Sequence, residues 1–387
     1  MASATAVTAR SKTSRLWAAG ARKPETFRTY CSAAARMSSS VASPGSAGGR
    51  SVLMFRHMPP VFRSPAAPAM ITAKAATDPG PTVERNSLMA TQYTVAVLGP
   101  GGTGGLLAAL LTRSGHRVIC LAQDSTADTL RRTGIAVRSA QFGEFTAPVQ
   151  ADTELREPVD ACLITVKHTA LDAALTRVPP TVLGDALVVP LLNGVEHPAT
   201  LRARYRPDRV APAVIRVEST RLAPGVIEHG SPFTEIDLAG DAVPRTRLDG
   251  LADALTAAGT TARAVGDETA ALWAKLTFLA PFALLTTRYR LPLDEARTRH
   301  GEELEALVAE AAAVSLACGA PADPAQALRR YDAFPPGAKS SMQRDAEAGR
   351  PLELDPIGGA LLRAAGRHDV PVPVTARLVR ELRDAGH

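Results

Sequence analysis

Residues 99–104 read Gly99-Pro100-Gly101-Gly102-Thr103-Gly104, a run that satisfies G-x-G-x-x-G. Glycine at these spacings permits a tight turn at Gly99, close approach of backbone to a pyrophosphate at Gly101, and tight helix–strand packing at Gly104. A helix opening behind the run offers free N–H groups and the positive end of its dipole to phosphate. Alone the pattern is weak, since a glycine turn between a strand and a helix needs no ligand. Its setting is stronger. An apolar, β-branched run precedes it at 93–99, a helical run closes at Gly115, and a second buried strand covers 116–122. Strand, glycine turn, helix and strand within about 30 residues make a dinucleotide-binding βαβ unit.

The choice between NAD and NADP falls at the end of that second strand. An acid there holds the ribose 2′-OH, whereas a neutral residue with a cation nearby admits a 2′-phosphate. Asp124 lies 20 residues after Gly104, but the register ends the strand near Ala122 and puts Asp124 in the loop beyond. Neutral Ala122 and Gln123 leave room for a phosphate, and Arg131 and Arg132 either reach it or are simply solvated. NADP(H) is favoured, with NAD(H) as the alternative. Two further strand-like runs, 159–167 and 185–194, end in Lys167 and in Asn193-Gly194. Ligands of open parallel sheets bind beyond the carboxyl ends of the strands, which makes Lys167 and Asn193 candidates to line the cleft. The plainer alternatives are a solvated lysine and an Asn-Gly turn.

These residues need elements to hold them. Up to about residue 264 the pattern is one of βα units, and from Val265 it becomes helical. Residues 267–290 carry a cap-like Asp267 and a broad apolar face, 301–320 form a second helix, and a third starts near Leu354. The expected architecture is α/β: a Rossmann-type doubly wound parallel sheet over 89–264, followed by an all-helical domain over 265–387. A cleft between them would take a substrate.

At this point the residues carry a family resemblance. From Val95 to about Leu378 the chain resembles ketopantoate reductases in "VLGPGGTGG", "TVKHTALDAAL", "LLNGVEH", "APGVIEHG", "LWAKLTF" and "SSMQRDAEAGRPLELDPIGGALLRAAGRHDVPVP". The last segment is the most specific, because its Ser-Ser-Met, Gly-Arg and Glu-x-Asp elements keep the family spacing. The resemblance implies NADPH-dependent reduction of a 2-oxo acid to a 2-hydroxy acid, 2-dehydropantoate to pantoate. It makes Lys275 the general acid at the substrate carbonyl and Glu353 the carboxylate that holds the substrate hydroxyl. Ser341 matches a hydroxyl on the substrate carboxylate, and Asn193 and Lys167 match residues near nicotinamide and substrate. Gln123 and Glu353 join the glycine run among the cofactor contacts it implies.

The chemistry suits those roles. Hydride reaching a ketone carbon leaves an alkoxide-like oxygen, and a proton donor there is worth roughly 10²- to 10⁴-fold in rate. An uncompensated lysine in an apolar helix face is costly, so Lys275 either has a task or snorkels at the domain edge. Departures from the family matter too. Leu279 and Ala283 stand where two asparagines usually face substrate, Pro281 lies between them, Gly358 replaces another asparagine, and Gln123 replaces a basic residue. Sites that read hydroxyls by hydrogen bonds discriminate strongly, so a more apolar 2-oxo acid suits this chain better than ketopantoate. The rival readings are a reductase of another carbonyl or imine, and a non-catalytic NADP(H)-binding regulator.

The totals bound the rest. The net charge of +6 is misleading: residues 1–88 hold 12 basic against three acidic residues, leaving 32 basic and 35 acidic in the remainder. A nucleic-acid partner built on the pI of 9.4 therefore loses its support. The Ser-, Ala-, Arg- and Pro-rich stretch 1–88 is expected to be disordered. It reads as an organellar transit peptide, or as a start taken too early with translation beginning at Met89; the second is favoured, which would make the protein cytoplasmic. Cys120 and Cys162 sit in strand-like runs as buried thiols, and no pair among these, Cys31 and Cys318 has metal-ligand spacing. No uninterrupted apolar run reaches about 18 residues, so no membrane span is expected. The expected partner is a small 2-oxo acid, and the chain is expected to be a monomer or homodimer.

Overall fold

The computed structural model describes residues 92–386, so the expectations for residues 1–88 lie outside the described residues. In chain order the first part runs β1 (Thr94–Leu98), α1 (Gly102–Arg113), β2 (Arg117–Leu121), α2 (Asp124–Thr133), β3 (Ile135–Ser139), β4 (Phe145–Ala147) and β5 (Gln150–Asp152). Next come β6 (Ala161–Ile164), α3 (Leu171–Leu175), α4 (Pro180–Leu183), β7 (Leu187–Pro190) and α5 (His197–Arg202). It closes with β8 (Ala213–Arg216), β9 (Ser219–Ala223), β10 (Val226–His229), β11 (Glu235–Leu238), α6 (Arg245–Ala257) and β12 (Thr261–Ala264).

Strands β5-β2-β1-β6-β7 form one sheet in that order, and every pair in it is parallel. Alternation along β1 explains why helices must cover both faces. Val95 and Val97 pack with Leu106, Leu107 and Leu110 of α1, while Ala96 and Leu98 pack with Leu171 and Leu175 of α3 on the other side. Each valine and leucine among these, fully enclosed, contributes about 1.5–3 kcal/mol. The chain leaves β1 for β2 on one side and later places β6 on the other, so the strand order reverses at β1. The expected doubly wound sheet is present. Two smaller sheets, β4-β3-β10-β9 and β12-β11-β8, were not foreseen, because their strands are three to five residues long and mostly lack a clean alternation. Asp124 also differs from expectation: it opens α2 rather than lying in a loop.

The remainder is helical: α7 (Glu268–Tyr289), α8 (Leu293–Arg299), α9 (Gly301–Ala317), α10 (Pro324–Asp332), α11 (Ser341–Glu347), α12 (Ala360–Arg367) and α13 (Pro373–Asp384). Asp267 caps α7 as its type predicts, its carboxylate accepting from Ala270 N at 2.8 Å. The 22-residue α7 is the spine of this half and runs on through Pro281. Among the described helices it alone is long and apolar enough to cross a membrane, and 61% of its most apolar window is buried within the fold. Its apolarity is thus accounted for by packing against Leu307, Val308, Val314, Leu378 and Val379. The helix expected from Leu354 begins as a π turn, Asp355–Gly359, before α12. Cys120 and Cys162 are enclosed free thiols whose pKa burial pushes up to about 12.

Candidate active site

The glycine run turns between β1 and α1 as its spacing requires. A Cβ on Gly104 would lie 2.2 Å from Thr165 Oγ1 at the end of β6, so glycine lets helix and strand close up. At Gly101, by contrast, a Cβ would meet no atom nearer than Gly99 O at 3.9 Å, leaving the backbone open to a ligand. Gly101 caps α1 without a side-chain bond, so the first-turn N–H groups at Gly102, Thr103 and Gly104 face outward. Pro100 is buried beneath the turn. An open, anion-favouring cradle at the carboxyl edge of a parallel sheet fits the pyrophosphate of a dinucleotide. Gln123, exposed, caps α2 through its backbone at the end of β2. Arg131 is drawn away from that point to Ala151 O at 2.8 Å and Asp128 at 2.6 Å, and Arg132 is exposed. Arg177, which the sequence did not single out, donates to Ala122 O at 3.1 Å and Thr153 O at 2.6 Å, beside the end of β2.

Lys167, Asn193 and Glu353 come together although up to 186 positions separate them in sequence. Glu353 Oε2 accepts from Asn193 Nδ2 at 2.9 Å, and Oε1 accepts from the backbone N–H of His168 at 3.1 Å. The β7–α5 connection reaches Glu353 because Gly194, at φ +90°, lies where a Cβ would be 2.4 Å from Pro356 O. Lys167 Nζ donates to Asp345 Oδ2 at 2.6 Å, and Asp345 also accepts from Arg350 Nε at 2.8 Å. Asp345 lies in one of the segments that carry the resemblance, yet no sequence rule pairs it with a lysine at the end of β6. Ser341 is exposed at the start of α11, one turn before Asp345 and on the same helix face, which puts it at the rim of this cluster. Its neighbour Ser340 is buried and caps α11, accepting from Gln343 N at 3.0 Å and sharing a hydrogen bond with Thr286.

Lys275 projects from α7 beside Glu353. Part of its surface is exposed, but protein crowds the ammonium closely enough to dominate its proton affinity. Desolvation pulls its pKa down from 10.5 to about 8, Glu353 acting against that pull and Arg216 with it. The positions four and eight residues on, Leu279 and Ala283, continue the same stripe of α7, half-buried and buried respectively. A further residue was missed altogether: His197, at the start of α5, is fully enclosed near Lys275. The resulting arrangement joins an anion cradle to a carboxylate and a lysine whose pKa is drawn down to about 8, at the carboxyl ends of β1, β6 and β7.

Two family models match the chain, "Ketopantoate reductase PanE/ApbA" over residues 95–239 and "Ketopantoate reductase PanE/ApbA C terminal" over residues 267–385. A 2-dehydropantoate 2-reductase of Caulobacter vibrioides is 30% identical over 302 residues, covering 75% of this chain and 98% of that protein. A solved PanE/ApbA family ketopantoate reductase from Ralstonia eutropha JMP134 is 29% identical, with a TM-score of 0.68 over 75% of this chain and 97% of that one. D-mandelate dehydrogenase, solved with NADH and anilino(oxo)acetate, also has a TM-score of 0.68, covering 75% of this chain and 97% of its own. It is 18% identical, and that likeness is one of fold. With both halves matched and the Caulobacter relative spanned almost end to end, the chain belongs to the ketopantoate reductase family of oxidoreductases.

Proposed function

We propose that this protein reduces a 2-oxo acid with NADPH, with Lys275 as the proton donor. The observation that carries the reading is a desolvated lysine, its pKa near 8, facing Glu353 where the strands of the nucleotide cradle end. The bound nucleotide would supply hydride to the carbonyl carbon. Lys275 would meet the oxygen as its charge grows, and an amine near pH 8 is well matched to giving up a proton there. Glu353, held at both oxygens, is oriented to accept from a substrate hydroxyl, while Ser341 and Lys167 would take the carboxylate. Gly101 and the first turn of α1 would hold the pyrophosphate. NADPH is favoured over NADH by Gln123 at the end of β2, where an acid would be needed to hold a 2′-hydroxyl.

Leu279 and Ala283 favour a finer reading. They give the cleft an apolar wall along the stripe that carries Lys275, which suits a 2-oxo acid with a hydrocarbon side chain better than ketopantoate with its second hydroxyl. The test is NADPH oxidation at 340 nm by the full chain, with ketopantoate, the analogue lacking its hydroxyl, and aromatic and linear 2-oxo acids. Turnover of any of these supports the reductase, and the order of kcat/KM reports the wall. NADPH binding without oxidation by the whole panel would overturn the reading in favour of a nucleotide-binding regulator.

A further inference from the structure

The loop after β7 and the turn after Glu353 are fastened together by one side chain, Arg363 of α12. Its Nε and Nη2 donate to the carboxylate of Glu196, the shortest contact being 2.6 Å. Its Nη1 and Nη2 donate to Asp355 Oδ1 and Oδ2 at 2.8 and 3.1 Å. Arg367 lies 3.8 Å from Glu196 and Arg383 3.9 Å from Asp355, so among the described residues Arg363 alone spans both carboxylates. Its hydrogen bonds hold the Asp355 carboxyl below its ordinary pKa.

The backbone is built to bring these three groups together. A regular α-helix makes two turns in about 7.2 residues, which would leave positions eight apart roughly 80° out of line. The π turn Asp355–Gly359 takes up one residue more, so Arg363 comes round to the side of Asp355. Gly359 leaves room for the pair: a Cβ there would lie 2.5 Å from Asp355 Oδ1 and 3.2 Å from Arg363 Nη1. Glu196 lies three residues after Asn193, and Asp355 two after Glu353. The clamp therefore closes directly behind the hydrogen bond that Asn193 Nδ2 donates to Glu353 Oε2.

We infer that Arg363 is a positioning residue for Glu353, its planar fork fixing where the Asn193 loop and the Glu353 turn meet. A guanidinium sets both distance and angle at each carboxylate, which a point charge does not. The side chains of Arg363, Glu196 and Asp355 are 43%, 33% and 59% exposed, so screening leaves these pairs little weight in overall stability. Their contribution is to geometry. Without the cation the two carboxylates repel, and loop and turn separate. What this does to turnover rests on the proposed reductase reading; the clamp itself does not.

The experiment compares the full chain with Arg363→Met, using the best 2-oxo acid of the panel. The variant should lose about ten- to hundredfold in kcat/KM, the cost of misplacing by about 1 Å a group that orients substrate. Its NADPH dissociation constant, read by nucleotide fluorescence, should stay at the wild-type value. In a Glu353→Gln background the same substitution should cost little more, because the residue it acts through is already gone. An equal factor in both backgrounds overturns the inference. Hydrogen exchange gives a readout that needs no turnover. Amides of residues 193–197 and 353–359 should exchange faster in Arg363→Met, with those of 99–104 unchanged. Exchange that changes in neither segment, or that rises across the whole fold, overturns the clamp. Arg363→Lys, which keeps the charge and loses the fork, is read the same way if the methionine variant does not fold. Absence of turnover with every 2-oxo acid would sink the reductase reading, while hydrogen exchange would still decide this one.

Discussion

In the proposed reaction Lys275 would have to be an ammonium when the carbonyl oxygen needs its proton. With its pKa drawn down to about 8, kcat/KM should be level below pH 8 and fall about tenfold per unit above it. A profile flat to pH 10 would remove Lys275 from the donor role. Lys275→Met should lose roughly 10²- to 10⁴-fold in kcat. The same substitution should stabilise the protein at pH 7, and the sign follows from linkage. Folding lowers this lysine's pKa from 10.5 to about 8, so between those values the unfolded chain holds more protons than the folded one. Stability therefore rises with pH across that window, and the cost of the buried ammonium is fully present below pH 8. Thermal midpoints of wild type and Lys275→Met should differ most at pH 7 and converge towards pH 10.5. A lysine that merely snorkels at the domain edge would show neither the rate loss nor the convergence.

At the scale of the element, α7 would decide which substrate the proposed site reads. Lys275, Leu279 and Ala283 follow one another at intervals of four along one stripe, so in the proposed reaction the proton donor and the selecting residues would be set by one helix. Leu279 is only half-buried, and Leu279→Asn adds an amide where the chain can accept one. The variant should raise kcat/KM for ketopantoate relative to its analogue without the hydroxyl by about tenfold, within the range that a hydrogen-bond donor in a substrate pocket supplies. An unchanged ratio would mean that Leu279 does not face substrate. Ala283→Asn is less informative, because overpacking an enclosed position costs about 1–3 kcal/mol. Much of this was legible beforehand. Strong local signals marked the glycine run, four of the five strands of the main sheet (β1, β2, β6 and β7), the Asp267 cap and the long helix, and each stands where it was expected. The short strands β3 to β5 and β8 to β12 were not legible, because runs of three to five residues leave little periodicity. Asp345 was missed for a related reason: its partner Lys167 lies far off in sequence, which spacing cannot show.

Among the described residues, ion pairs and hydrogen bonds join the β-rich part to the helical half. Lys167 reaches Asp345 at 2.6 Å, Arg344 reaches Glu218 at 2.8 Å, Arg363 reaches Glu196 at 2.6 Å, and Glu353 holds Asn193 and the His168 N–H. Most of the charged members are partly exposed, and such pairs contribute about 0–1 kcal/mol each, less in salt. The apolar contacts of the two halves, not these bridges, must therefore carry the stability, which leaves the bridges free to respond to ligands. Lys167→Met tests that division. Its side chain is 40% exposed, and Asp345 would keep Arg350 at 2.8 Å, so no buried charge is stranded. The variant's unfolding free energy, measured by urea denaturation, should lie within about 1 kcal/mol of the wild type. Its KM for the 2-oxo acid should nevertheless rise severalfold, because the cation at the end of β6 is gone from the cleft while the chemistry at Lys275 is intact. Raising the salt concentration should reproduce part of the KM effect in the wild type and little of it in the variant. If Lys167→Met instead lost several kcal/mol of stability with KM unchanged, the pair with Asp345 would be a structural strut and Lys167 would have no part in binding.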